Sequence, residues 1–99
     1  MRLTFELIDK STGFTNTLNE RELDLRGNSI PEIENLITTK DHYQTIDLTD
    51  NEITSLRNLP LLSNLETLIL SNNNLEEIDP NFAECVPNLK SLILANNRF

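Results

Sequence analysis

The chain has 99 residues, enough for one domain. Eight basic against sixteen acidic residues leave a net charge of −8, which excludes the basic footprint of a free-standing nucleic-acid binder. One cysteine excludes an internal disulfide, and two glycines exclude a glycine-rich phosphate loop.

Residues 1–19 are predicted to form an amino-terminal cap. Thr4 is placed to N-cap a short helix carrying Leu7 and Ile8, and Gly13 to end it. Leu3, Phe5 and Phe14 are expected to shield the first repeat. A pattern then recurs: apolar, skip one, apolar, skip two, Asn, skip one, apolar. It reads Leu23, Leu25, Asn28, Ile30; Ile46, Leu48, Asn51, Ile53; Leu68, Leu70, Asn73, Leu75; and Leu92, Leu94, Asn97, Phe99. The units fall around 20–42, 43–64, 65–88 and 89–99, the last incomplete. Glu20, Tyr43, Leu65 and Leu89 open them.

This is the leucine-rich repeat pattern. It implies an α/β solenoid with short parallel strands on a concave face and 3-10 or short helical segments on the convex face. The convex segments follow from apolar residues spaced about three apart, as in Ile30, Ile33 and Leu36. Pro31, Pro60, Pro80 and Pro87 all fall in these return segments, where proline is tolerated. Asn28, Asn51, Asn73 and Asn97 follow the strands, where the chain turns inward. Their amides are predicted to satisfy backbone groups of their own and neighbouring repeats. No return segment follows Phe99, so the sequence is expected to be truncated, without a carboxyl-terminal cap and with an apolar flank at Leu89, Leu92 and Leu94.

Strand residues between the buried positions are predicted to face outward. They are Glu22, Asp24 and Arg26; Thr45, Asp47 and Thr49; Thr67, Ile69 and Ser71; and Ser91, Ile93 and Ala95. An acidic half beside an apolar half suits an amphipathic helix with a basic flank. Ile69 and Ile93 occupy equivalent positions and are expected to form one apolar patch. No catalytic constellation, cofactor or metal site is expected. His42 stands alone in a polar segment, and Cys85 reads as a small packed hydrophobe. No stretch is long enough to cross a bilayer, and no signal-peptide pattern opens the chain.

RELDLRGNSIPEIENL, Arg21 to Leu36, resembles the U2 small nuclear ribonucleoprotein A-prime family. So do LTFELI from Leu3, the Thr15-Asn16 pair, IDLTDNEI from Ile46, Leu59 to Leu62, and VPNLKSLILANN from Val86. The resemblance implies a nuclear, non-catalytic spliceosomal scaffold. Its partner would be the B-double-prime RNA-recognition-motif protein, and the two would bind a hairpin of U2 small nuclear RNA, mainly through the partner. It implies that Glu22, Asp24, Thr45, Asp47, Thr67, Ile69, Ser91 and Ile93 contact a partner helix, and that Arg26 meets the partner or RNA. It also implies a further repeat and a cap beyond residue 99. The repeat by itself fits equally a generic adaptor or a phosphatase regulatory module.

Overall fold

The computed structural model describes residues 2–11, 13–15, 17 and 19–98. Asn16 and Phe99 therefore lie outside the described residues. Helix α1 spans Phe5–Lys10, and the Thr4 hydroxyl accepts from the Leu7 N–H at 3.1 Å, as the sequence predicts. The helix ends at Ser11 rather than Gly13. The Ser11 N–H and hydroxyl close the last turn onto the Leu7 carbonyl, so no left-handed glycine is needed.

Gly13 instead opens a strand the sequence does not announce, β1 (Gly13–Thr15). The repeat strands are β2 (Arg21–Asp24), β3 (Thr45–Asp47), β5 (Thr67–Ile69) and β7 (Ser91–Ile93). Two further short strands, β4 (Ser55–Leu56) and β6 (Glu77–Ile78), pair in parallel in the return segments. The main sheet has the order β1-β2-β3-β5-β7, antiparallel only between β1 and β2.

The inward row of the main sheet is Leu23, Ile46, Leu68 and Leu92 in register. The first three are 0–1% exposed, and Leu92 at the sheet edge is half-buried. Behind them pack Ile30, Ile33, Leu36, Ile53, Leu56, Leu62, Leu65, Leu70 and Leu75, so successive repeats share one continuous core. At a rough 1.5–3 kcal/mol for each fully buried aliphatic side chain, this stack dominates the stability.

The convex segments differ from expectation. Only the first, Leu36–Thr39, is a 3-10 turn; the third contains a short α-helix, α2 (Phe82–Cys85). In the second, Pro60 disfavours the helical region for Leu59, and no helix forms. Cys85 is half-buried against the core, and His42 is exposed.

The amino-terminal cap also departs from expectation. Leu3 is fully buried, but Phe5 is 53% and Phe14 40% exposed, so both rings stand partly in solvent. Shielding comes from Leu3, Ile8 and the half-buried Tyr43 ring. The Asn35 amide donates to the Leu3 carbonyl at 2.8 Å, and Arg2 meets Glu34 through two 3.0 Å bonds. Gly13 lets β1 approach this layer. A Cβ there would sit 2.8 Å from the Tyr43 hydroxyl and 2.9 Å from ring carbon Cε1. Gly13→Val is therefore expected to destabilise the domain by about 1–3 kcal/mol through overpacking, read as a lower midpoint in urea.

Candidate docking face

Each repeat strand leaves the sheet through the same turn. The parallel ladder continues past the strands, from the Leu25, Leu48 and Leu70 N–H groups to the Asp47, Ile69 and Ile93 carbonyls at 2.8–2.9 Å. At the turn the motif asparagines work as the spacing predicts. Asn51 Oδ1 accepts from the Asn28 and Ile30 N–H groups, and its amide nitrogen donates to the Leu25 and Leu48 carbonyls. Asn73 accepts from Ile53 and donates to Leu48 and Leu70; Asn97 accepts from Leu75 and donates to Leu70 and Leu94. Among the described residues, Asn28 donates only within its own repeat, to the Leu25 and Arg26 carbonyls.

A second ladder escapes the sequence reading. The residue before each motif asparagine is left-handed: Gly27 (φ 67), Asp50 (φ 60), Asn72 (φ 58) and Asn96 (φ 60). These residue types tolerate that conformation best. Asn96 donates to Asn72, and Asn72 to Asp50, each at 2.8 Å. The recurrence of Gly, Asp, Asn and Asn at one position was the available signal.

Two rows of side chains face outward. One runs Glu22, Thr45, Thr67, Ser91; the other runs Asp24, Asp47, Ile69, Ile93. The expected exposure fails for two members. Thr45 is 3% and Asp47 8% exposed, because neighbouring side chains close over the middle of the sheet. The Thr45 hydroxyl donates to Glu20 at 3.2 Å. Asp47 Oδ1 accepts from the Thr49 N–H at 3.0 Å and from its hydroxyl at 2.5 Å. Glu22, Asp24, Thr49, Thr67, Ile69 and Ser71 are half-buried, and Arg26, Ser91, Ile93 and Ala95 are exposed. Ile93 is 41% exposed and in register with Ile69, so the expected apolar pair is present.

The acidic end is not a bare field of carboxylates. The Arg26 guanidinium makes two bonds to Asp24, at 3.0 and 3.1 Å, and reaches to 3.8 Å from Asp47. The Arg26 N–H also bonds Asp24 Oδ1, repeating the turn made by Asp47 and Thr49. The hydrogen bonds from the Arg26 side chain hold the Asp24 carboxyl below the usual carboxylate range, despite partial burial. A depressed folded-state pKa contributes stability above the unfolded pKa, and this is lost as pH falls through the folded value. Arg26→Ala should therefore raise the Asp24 pKa toward its ordinary value and flatten the acid limb of the stability–pH curve, read by carboxylate NMR titration.

The repeated turns, the asparagine ladder and the parallel sheet agree with a match of the leucine-rich repeat family model to residues 1–99. The chain belongs to the leucine-rich repeat family. Within that family it is 55% identical over 98 residues to U2 small nuclear ribonucleoprotein A′ of Arabidopsis thaliana, covering 99% of this chain and 39% of that protein. It is 46% identical to the protein of the same name in Homo sapiens, over 98% of this chain and 38% of the relative. The chain thus spans about two fifths of these curated relatives. A chain in the crystal structure of the Drosophila melanogaster SNF/U2A′ complex matches with a TM-score of 0.96 at 52% identity. That match covers 98% of this chain and 56% of the Drosophila chain. The likeness to the A-prime family expected from the repeat sequences is therefore found.

Among the described residues, no group of three or more His, Cys, Asp or Glu is placed to hold a metal ion. No helix among them is long and apolar enough to cross a membrane.

Proposed function

We propose that this leucine-rich repeat is a non-catalytic scaffold of the U2 small nuclear ribonucleoprotein, working in the nucleus in pre-mRNA splicing. It docks an RNA-recognition-motif protein, B-double-prime, through its concave face. U2 small nuclear RNA is met mainly through that partner, because a net charge of −8 repels phosphate. The observation that carries this reading is the outward pair Ile69–Ile93, continuous with the acidic Asp24–Asp47 end of the same row. The apolar pair supplies contact energy, and the carboxylates orient a basic flank. The likeness to a chain solved in a complex with SNF supports a protein partner for the domain.

Titration of the domain with purified B-double-prime protein at low and moderate salt tests the proposal. A stoichiometric complex that weakens as salt rises is the expected result. Absence of binding overturns it. Tight binding of the U2 hairpin without the partner overturns the division of labour.

A further inference from the structure

The outward rows do not end at the first repeat. Strand β1 lies antiparallel to β2, with Phe14 directly opposite Glu22. Directly opposed residues project from the same face of a sheet. Leu23 points into the core, so Glu22 and Phe14 point the other way. The outward row is therefore Phe14, Glu22, Thr45, Thr67, Ser91.

Phe14 is an aromatic at one end of this face, and Ile69 with Ile93 form the apolar pair toward the other. The Phe14 ring is 40% exposed. The β1 residue that meets the packed layer is Gly13, against Tyr43. Between the two apolar ends lie the half-buried Glu22 and Asp24, with Arg26 bonded to Asp24; Asp47, 8% exposed, adds its charge from within the turn rather than as a contact.

We propose that Phe14 is a second apolar anchor of the docking face, so that the face takes a helix with apolar residues at both ends and basic residues between. The inference rests on the function proposed above and specifies its occupant. Four strand spacings separate β1 from β7, about 19 Å at 4.7–4.9 Å each. At 1.5 Å per residue, a helix lying across the strands covers that span in roughly 13 residues. The occupant is therefore a helix of at least three to four turns, its two apolar anchors roughly 10–13 residues apart. A shorter helix engages one end only.

The test compares wild type, Phe14→Asp and Ile93→Asp by calorimetric titration with the B-double-prime protein. Both sites are exposed, so thermal midpoints should stay close to that of wild type. Phe14→Asp is expected to raise Kd about tenfold or more, as loss of an aromatic anchor does. Phe14→Leu should retain most of the affinity. Loss of binding in Ile93→Asp with unchanged binding in Phe14→Asp overturns the second anchor and leaves the docking face standing. A wild type that does not bind overturns both. A benzoylphenylalanine photoprobe at position 14 gives a second reading that does not depend on destabilising the cap. Cross-linking to one end of a partner helix supports the anchor. No cross-link from position 14, while the same probe at position 93 cross-links, overturns it.

Discussion

Replacing Asn51 by alanine is expected to lower the unfolding free energy by roughly 3–5 kcal/mol, given about 1–3 kcal/mol for each buried group left unpaired. The side chain is 6% exposed and is held by two backbone donors and at least two backbone acceptors, from two repeats. Alanine leaves the Asn28 and Ile30 N–H groups without their acceptor, and water has little access to replace it; the Leu25 and Leu48 carbonyls keep the Asn28 and Asn73 amides. Asn73→Ala should behave alike, since Asn73 is equally buried and also bridges two repeats. Asn28→Ala should cost markedly less, because that amide is half-buried and, among the described residues, donates only within its own repeat. Asn51→Asp should not rescue the domain: it keeps the acceptor, loses the donor and brings in a charge. Urea denaturation of the four variants ranks them directly. An Asn28 variant as damaged as the Asn51 variant would refute the bridging account.

These asparagines also show what the sequence makes legible. A residue that must both donate and accept at one turn in every repeat leaves a periodic mark, and so do the leucines around it. The parallel sheet, its register and the outward rows all follow from that period. Three features left no such mark. Strand β1 is three residues long and opens with a glycine whose purpose is the nearby Tyr43 ring, a contact between distant parts of the chain. The convex segments are set one at a time, by Pro60 in the second and by a short helix in the third, so no common period describes them. Burial of Thr45 and Asp47 depends on Glu20, Thr49 and Arg26 closing over them. Alternation along a strand gives the face a side chain points to, and says nothing about what covers it there. This changes how the acidic end must be tested. Reversing the charge of Asp47 would disturb a buried turn and place a second cation beside Arg26, so lost binding would report on folding as much as on docking. Asp24→Asn is the cleaner probe of steering, with its effect expected on the association rate and its salt dependence.

Ile93→Asp separates docking from folding most sharply. Asp24 and Asp47 occupy the equivalent position in the first two repeats and accept from the N–H two residues on, that of Arg26 and Thr49. Isoleucine has no acceptor, so in the last two repeats the turn forms without that bond. An aspartate at 93 can copy the earlier geometry by accepting from the Ala95 N–H. The fold should then be as stable as wild type or slightly more so. Docking should respond in the opposite sense. Against an apolar anchor of the partner, the new carboxylate is desolvated without a counter-charge, and the Ile69–Ile93 patch is broken. Affinity is expected to fall by about 10- to 100-fold, chiefly through faster dissociation. Thermal melts together with surface-plasmon kinetics on one protein preparation measure both responses. A variant that melts as wild type and binds as wild type would remove the apolar pair from the interface, and with it the reason isoleucine stands where the first two repeats have aspartate.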